Sequence, residues 1–504
     1  MSKETAIKPT REENYPQWYQ EVVRAAEMAE VSPVRGCMVI KPWGFGIWEN
    51  IQSSLDKEIK KMGVENAYFP LFIPLSFIEK EAEHIEGFAK ECAVVTHHRL
   101  EIRDGKLVPS AKLTEPLVIR PTSETIIGES FKNWIQSYRD LPLKINQWCN
   151  IVRWEMRTRL FLRTSEFLWQ EGHTAHRFEE EAKEQALEAL KMYKKFAEDV
   201  LALPVIEGKK SEGEKFPGAD TSYTIEGMMQ DRKALQCGTS HFLGQNFSKA
   251  SEILFSDEDG ELKHPFTTSW GVSTRLIGAL IMAHGDDNGV RVPPAVAPVQ
   301  VVILPVVPDE TARGAVFEYA EKVSLLLKEA FYREEQVRVK IDTSDIRGGE
   351  KNWRWVKKGV PIRIEVGPRD IKNSCAVLMR RDKGVREKES VSLSNLSKVV
   401  EEVLSEIQEN YFKEAKEFLD AHIIRDIKSF EELREIFTPK NESQPEIHGG
   451  FALIKWAGSK EDEKKLAELK LSIRCIPFNQ SGTEGVCPVT GHKTTQEAIV
   501  AKAY

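Results

Sequence analysis

A proline-rich break, Arg291-Val-Pro-Pro-Ala-Val-Ala-Pro298, divides the chain. No regular helix or central strand crosses such a stretch, because proline lacks the amide donor that both hydrogen-bond ladders need. An alternating run, Val299-Gln-Val-Val-Ile-Leu304, opens directly after it, so a domain boundary is expected near residue 295. Before the break, apolar residues recur at helical spacing near 15–30 and 47–62, the second run closing on Gly63, a residue suited to a helix C-terminus. Residues 64–74 read as an edge strand with Pro70 and Pro74 at its margins. Two apolar stretches between 145 and 180 flank a polar, arginine-rich segment, 153–163, the layout of antiparallel strands joined by a loop; 179–201 reads as an amphipathic helix.

Beyond the break, apolar runs at 299–307, 337–341, 361–366 and 375–380 alternate with helical segments and predict a small α/β domain ending near residue 400. A long helical stretch, 393–421, leads into a charged last unit. Three domains are expected: 1–295, 296–400 and 401–504. With 41% hydrophobic and 30% charged residues, 504 positions can bury a large core. The net charge of −7 excludes a chain coated in basic residues but leaves room for local basic faces.

Seven cysteines (37, 92, 149, 237, 375, 475 and 487) are odd in number, scattered and never in a CxxC pair, which points to a reducing compartment rather than a disulfide framework. No apolar run reaches the length of a membrane span, and the polar stretch 1–14 is unlike a signal or transit peptide. A cytoplasmic protein with no membrane partner is the expectation.

Three segments carry chemistry. Ile119-Arg-Pro-Thr-Ser-Glu-Thr125 sets a hydroxyl and a carboxylate, Thr122 and Glu124, two residues apart, so an extended chain would present both on one face, where they could hold an ammonium ion. The same letters also suit a capped helix start. Val152-Arg-Trp-Glu155 and Phe161-Leu-Arg-Thr-Ser-Glu-Phe-Leu-Trp-Gln-Glu-Gly-His173 bracket the basic loop, with Arg153 and Glu155 pointing one way and Glu166, Trp169, Glu171 and His173 nearby on the returning strand. Gly271-Val-Ser-Thr-Arg-Leu-Ile-Gly278 is a strand feeding a helix that opens on Arg275. Arginine suits phosphate and carboxylate binding because its guanidinium forks onto two oxygens.

In this order the segments resemble motifs 2 and 3 of class II aminoacyl-tRNA synthetases, and residues 63–70 resemble motif 1, the dimerisation strand. Longer strings, Arg120-Pro-Thr-Ser-Glu-Thr125, Phe161-Leu-Arg-Thr164 and Gly238-Thr-Ser-His-Phe-Leu-Gly-Gln-Asn-Phe247, resemble the prolyl-tRNA synthetases in particular, from about residue 15 onward. The resemblance implies an α+β class II catalytic domain with an antiparallel sheet flanked by helices, then an α/β anticodon-binding domain and a small α+β C-terminal domain. It also implies ATP-dependent ligation of proline to tRNA(Pro) through prolyl-adenylate, ATP arriving with Mg²⁺, and a homodimer formed through motif 1.

By the same resemblance, Thr122, Glu124, Arg153, Trp169, Phe216, His241 and Ser273 hold proline. Arg153, Glu155, Arg163, Thr164, Gln236, Thr239 and Arg275 hold ATP, and Arg153 and Arg275 carry the catalytic charge. The interval between His173 and Gly271 is too short for a large editing insert, matching the archaeal and eukaryotic form. The basic segment 347–388 contains Gly359-Val-Pro-Ile-Arg-Ile-Glu-Val-Gly-Pro-Arg-Asp370, similar to the family's anticodon-binding string, with Glu365, Arg369 and Asp370 as candidates for reading base edges.

In the last unit, relatives often carry two zinc-binding cysteine pairs, but the matching positions read Trp456-Ala-Gly-Ser459 and Cys487-Pro-Val-Thr490. Cys475, Cys487 and His492 lack an evident fourth ligand, so no zinc is expected. Two other readings compete. A catalytically dead paralogue would typically lose a motif arginine, yet Arg153 and Arg275 are both present. A relative charging threonine, glycine or histidine would need a different pocket from the one Thr122, Glu124 and His241 make.

Overall fold

The computed structural model describes residues 5–79, 91–441 and 447–504; the first four positions of the polar N-terminal stretch lie outside it. The first helix, Arg11–Ala25, carries two start signals. Thr10 and Glu13 form a capping box, and Asn14 breaks the helical backbone and restarts it by accepting the Gln17 N–H at 3.1 Å. The restart explains why the apolar periodicity begins near residue 15. The second helix, Pro42–Lys61, is followed by Gly63 at φ +72°, where a side chain would be strained.

The expected single edge strand over 64–74 is two short pieces in two different sheets. Glu65–Asn66 pairs parallel with Leu143–Val152, and Phe72–Pro74 pairs with Lys106–Ile119 in a three-stranded sheet completed by Ala93–Arg103. Between the pieces, the Phe69 N–H donates to the Gln147 side chain at 3.0 Å instead of to a neighbouring strand.

The main sheet has 11 strands. Its middle runs Val205–Lys209, Thr221–Met228, Ala234–Gly244, Phe266–Ser273, Glu166–His176 and Leu143–Val152, every neighbour antiparallel. The arginine-rich segment is the loop between the last two of these, as its flanking apolar stretches predict. Helix Glu179–Asp199 covers one face, its alanines 182, 186 and 189 allowing close approach to the strands. Tyr193 from that helix donates to Gln170 of the sheet. Because side chains alternate across a strand, Trp169, Glu171 and His173 face the other way.

A second sheet orders Val339–Ile341, Val301–Pro305, Ile362–Val366, Cys375–Arg380 and Glu389–Ser392, with its first two pairings parallel. Helix Leu393–Ala421 runs unbroken through residue 400, and its Leu404, Ile407 and Tyr411 share an apolar cluster with Val301 and Ile364. Arg381 of this unit forks onto Asp286 at 2.6 and 2.7 Å, tying it to the turn that follows helix Arg275–His284. The last unit extends the main sheet: Ser472–Pro477 joins Val205–Lys209, followed outward by Glu497–Ala501, Phe451–Lys455 and Ile423–Ile424. Tyr504 folds back onto the main sheet, where its hydroxyl donates to Asp231 at 2.6 Å and its ring lies under Arg159 of the arginine-rich loop.

Candidate active site

On the open face of the main sheet lies a cavity of about 330 Å³. Thr122, Glu124, Arg153, Trp169, Phe216, Gln236, Thr239, His241, Ser273 and Arg275 all line it. An adjoining cleft carries Glu155, Arg163 and Thr164 and shares Arg153, Ser273 and Arg275 with the cavity. Of the sixteen residues expected at one centre or in the second sheet's basic segment, the eleven-strand sheet and its loops bring the thirteen proline and ATP candidates together, while Glu365, Arg369 and Asp370 lie on the second sheet's unit.

Helix Glu124–Trp134 begins at Glu124, so the chain at 122–124 is a helix entry rather than an extended strand. The capping alternative is not realised either: Ser123, at the N-cap, makes no side-chain cap bond. Instead Thr122 donates to Glu124, and Ser123 donates to Glu171. Hydroxyl and carboxylate therefore meet in the cavity as adjacent acceptors.

Phe216 and His241 stack at 4.6 Å between ring centroids, forming an aromatic wall. His241 is held by Ser222 through Nδ1 at 2.8 Å, and burial pushes its pKa down to about 4 despite nearby Glu124, so the wall is an uncharged ring at neutral pH. Trp169 donates its indole N–H to Cys149 Sγ at 3.1 Å and carries the Arg153 guanidinium over its face. Arg153 is oriented by donating from Nε to the Pro121 carbonyl at 2.8 Å. Burial lowers its pKa to about 10, with Glu124 and Glu91 opposing, so it remains charged throughout the physiological range.

Glu171 and His173 form a buried pair at 2.9 Å on the cavity floor, and Gln147 also donates to Glu171. Burial alone would lower His173, but the Glu171 hydrogen bond and charge raise it above its ordinary value. These residues were noted only as neighbours of Trp169; their spacing at 169, 171 and 173 is the signal that they share its face. Lys210, which also lines the cavity, had no local signal.

In the cleft, Arg163 pairs with Glu155 at 3.3 Å, and Thr164 donates to the Glu166 carbonyl at 2.7 Å. Arg275 donates to the Leu162 carbonyl at 3.3 Å, and burial together with Arg163 lowers its pKa. In the second unit, Glu365 pairs with Lys388 at 2.5 Å and Arg369 is exposed. Asp370 accepts the Gly367 N–H at 2.8 Å, so its carboxylate has a structural task at the start of its own short helix. Cys475 and Cys487 sit in separate apolar clusters, and among the described residues no group of three or more His, Cys, Asp or Glu is arranged to hold a metal.

Residues 109–284 match the tRNA synthetase class II core domain (G, H, P, S and T), 300–403 an anticodon binding domain and 441–504 a prolyl-tRNA synthetase C-terminal domain. The chain is 59% identical to a proline–tRNA ligase of Protochlamydia amoebophila, over 99% of both chains. It is 53% identical to one of Bdellovibrio bacteriovorus, over 99% of this chain and 100% of that one. A crystal structure of a prolyl-tRNA synthetase from Cryptosporidium parvum, complexed with halofuginone and AMPPNP, superposes with a TM-score of 0.88 at 39% identity, covering 99% of each chain.

Proposed function

The chain belongs to the prolyl-tRNA synthetase family and ligates proline to tRNA at the expense of ATP, and we propose that the cavity and its adjoining cleft are where both steps occur. The observation that carries this reading is the meeting of Thr122 and Glu124 with the Arg153 guanidinium beside an uncharged aromatic wall. Proline's secondary ammonium has two donors and its ring is apolar, so it needs two acceptors next to such a wall. Thr122 and Glu124 take the ammonium, Arg153 the carboxylate, and Phe216, Trp169, His241 and Ser273 the ring.

ATP lies toward the cleft, held by Glu155, Arg163, Thr164, Gln236, Thr239 and Arg275, its phosphates carrying Mg²⁺. The nucleotide analogue named in the Cryptosporidium complex supports ATP as a ligand of this fold. A proline carboxylate oxygen attacks the α-phosphorus in line and pyrophosphate leaves. Arg153 and Arg275 offset the charge that builds on the phosphate oxygens, so catalysis rests on positioning and electrostatics and no protein nucleophile is used. The terminal ribose hydroxyl of tRNA then attacks the adenylate carbonyl and AMP leaves. No side chain is assigned as general base for that step.

Glu124→Gln keeps the shape of the ammonium site but removes its charge. Proline KM should rise about 30-fold, the equivalent of about 2 kcal/mol, with ATP KM unchanged. Steady-state pyrophosphate exchange measures both, and an equal rise in the two constants would remove Glu124 from the proline site.

The interval between motifs 2 and 3 supports an architecture without the editing insert, the form typical of archaea and eukaryotes, although the relatives named above include bacterial enzymes. The chain divides into catalytic (1–295), anticodon-binding (296–400) and C-terminal (401–504) domains, with helix Leu393–Ala421 running across the boundary between the last two. Dimerisation would use the motif 1 region, where Tyr68 is 73% exposed and Phe72 45%. The work of the enzyme belongs in the cytoplasm; no helix among the described residues is long and apolar enough to cross a membrane.

Glu365, Arg369 and Asp370 are proposed to meet the anticodon, with the surrounding basic residues contacting phosphates. Neutralising Arg369 or Lys372 should weaken tRNA charging several-fold while leaving pyrophosphate exchange intact, and removing one phosphate contact should flatten the log–log salt slope by about one. Loss of exchange in these variants would refute the assignment. We also expect activity to survive chelation of zinc in excess Mg²⁺; stoichiometric zinc by elemental analysis, with activity lost on chelation, would overturn that.

A further inference from the structure

The segment 210–217 has no helix or strand of its own, yet it supplies Lys210, Glu214, Lys215, Phe216 and Pro217 to the cavity wall. Its far end is tied to the pocket: the Phe216 N–H donates to Ser222 Oγ at 2.9 Å, the same hydroxyl that holds His241. Its near end is held from elsewhere. Glu463, on helix Lys460–Glu468 of the last unit, accepts from Ser211 Oγ at 3.0 Å and from the Gly213 N–H at 3.3 Å. A Cβ on residue 213 would lie 2.4 Å from Glu463 Oε2, so any side chain at 213 would push the carboxylate off its present contact.

Arg474, on the strand that pairs with Val205–Lys209, forks onto Glu226 Oε2 at 3.1 and 3.0 Å. The other oxygen of that carboxylate takes Lys210 Nζ at 2.9 Å. Two independent contacts from the last unit, one direct through Glu463 and one through Glu226, therefore hold the near end of the segment.

We propose that the C-terminal unit is a positioning element of the proline pocket, with Glu463 and Arg474 fixing segment 210–217 and hence the Phe216 wall. This rests on the reading of Phe216 as a wall for proline. A segment held by a few polar contacts opens locally at low cost. Releasing it lowers the fraction of molecules with a formed pocket, and apparent proline affinity falls by that fraction. ATP affinity is spared, because Arg163, Thr164, Gln236 and Arg275 stand on other segments.

The test uses the full chain with Glu463→Ala, Gly213→Ala, their combination and Glu463→Gln, in proline-dependent pyrophosphate exchange with the thermal midpoint followed in parallel. Each alanine variant should raise proline KM about tenfold, with kcat and ATP KM within about twofold. The double variant should be no worse than either single one, since both break the same contact. Glu463→Gln should recover part of the loss, because its amide oxygen still accepts from Gly213. An unchanged proline KM, a parallel rise in ATP KM, or multiplying effects in the double variant would each overturn the proposal. Absence of proline-dependent exchange in the unaltered chain would overturn the reading of the site, and this inference with it.

Discussion

Arg153→Ala is expected to lower kcat/KM for proline-dependent pyrophosphate exchange by at least about 3 kcal/mol, two orders of magnitude or more. The size follows from its place. The guanidinium lies where the cavity and the arginine-rich cleft meet, and it is aimed by the Pro121 carbonyl and the Trp169 face. One side chain thus serves the proline carboxylate and the α-phosphate, and its loss leaves both charges without a partner in a site shielded from water. Arg153→Lys should recover little, since an ammonium cannot fork onto two groups. A drop of less than about tenfold for the alanine variant would refute the shared role.

Glu226→Ala is expected to cost about 3–5 kcal/mol of stability, because it strands Lys210 and Arg474 as buried cations with no counter-ion. Glu226 is 0% exposed, and Lys210 and Arg474 are 4% and 7% exposed, so water replaces the lost contacts poorly. Burial works against the Glu226 charge, but Lys210 and Arg474 hold its carboxyl below the ordinary carboxylate range. The sign of the pH dependence follows: the contribution is complete above that ordinary range and is lost as pH falls through the lowered value. Chemical denaturation at neutral pH measures the cost. A loss under about 1 kcal/mol would mean the three charges are not a buried unit.

What the sequence revealed and what it hid divide along contact distance. The hairpin around the arginine-rich loop was legible because both strands and their connection lie within 143–176, and alternation fixes which side chains share a face. Four of the five strands of the second sheet were legible for the same local reason; Glu389–Ser392, short and mostly exposed, carries no apolar run. The single edge strand over 64–74 was misread because apolar β-formers look alike whether they join one sheet or two. The bond from Phe69 to Gln147, a residue far along the chain, marks the break between the two pieces.

In the site, the role of Thr122 and Glu124 stayed open between cap and ligand until Ser123 was seen spent on Glu171, which frees the acceptor pair for the cavity. Lys210, Glu463 and Arg474 were invisible for a stronger reason. Arg474 meets Glu226 across 248 positions, and Glu463 meets Gly213 across 250, so no spacing rule reaches them.

ATP–pyrophosphate exchange with each of the twenty amino acids in turn, without tRNA, bears most directly on the account. The ammonium acceptors, the aromatic wall and the arginines all belong to the activation step, so label should exchange with proline and with no other amino acid to a comparable rate. Equal exchange with threonine, or none with any amino acid, would contradict it.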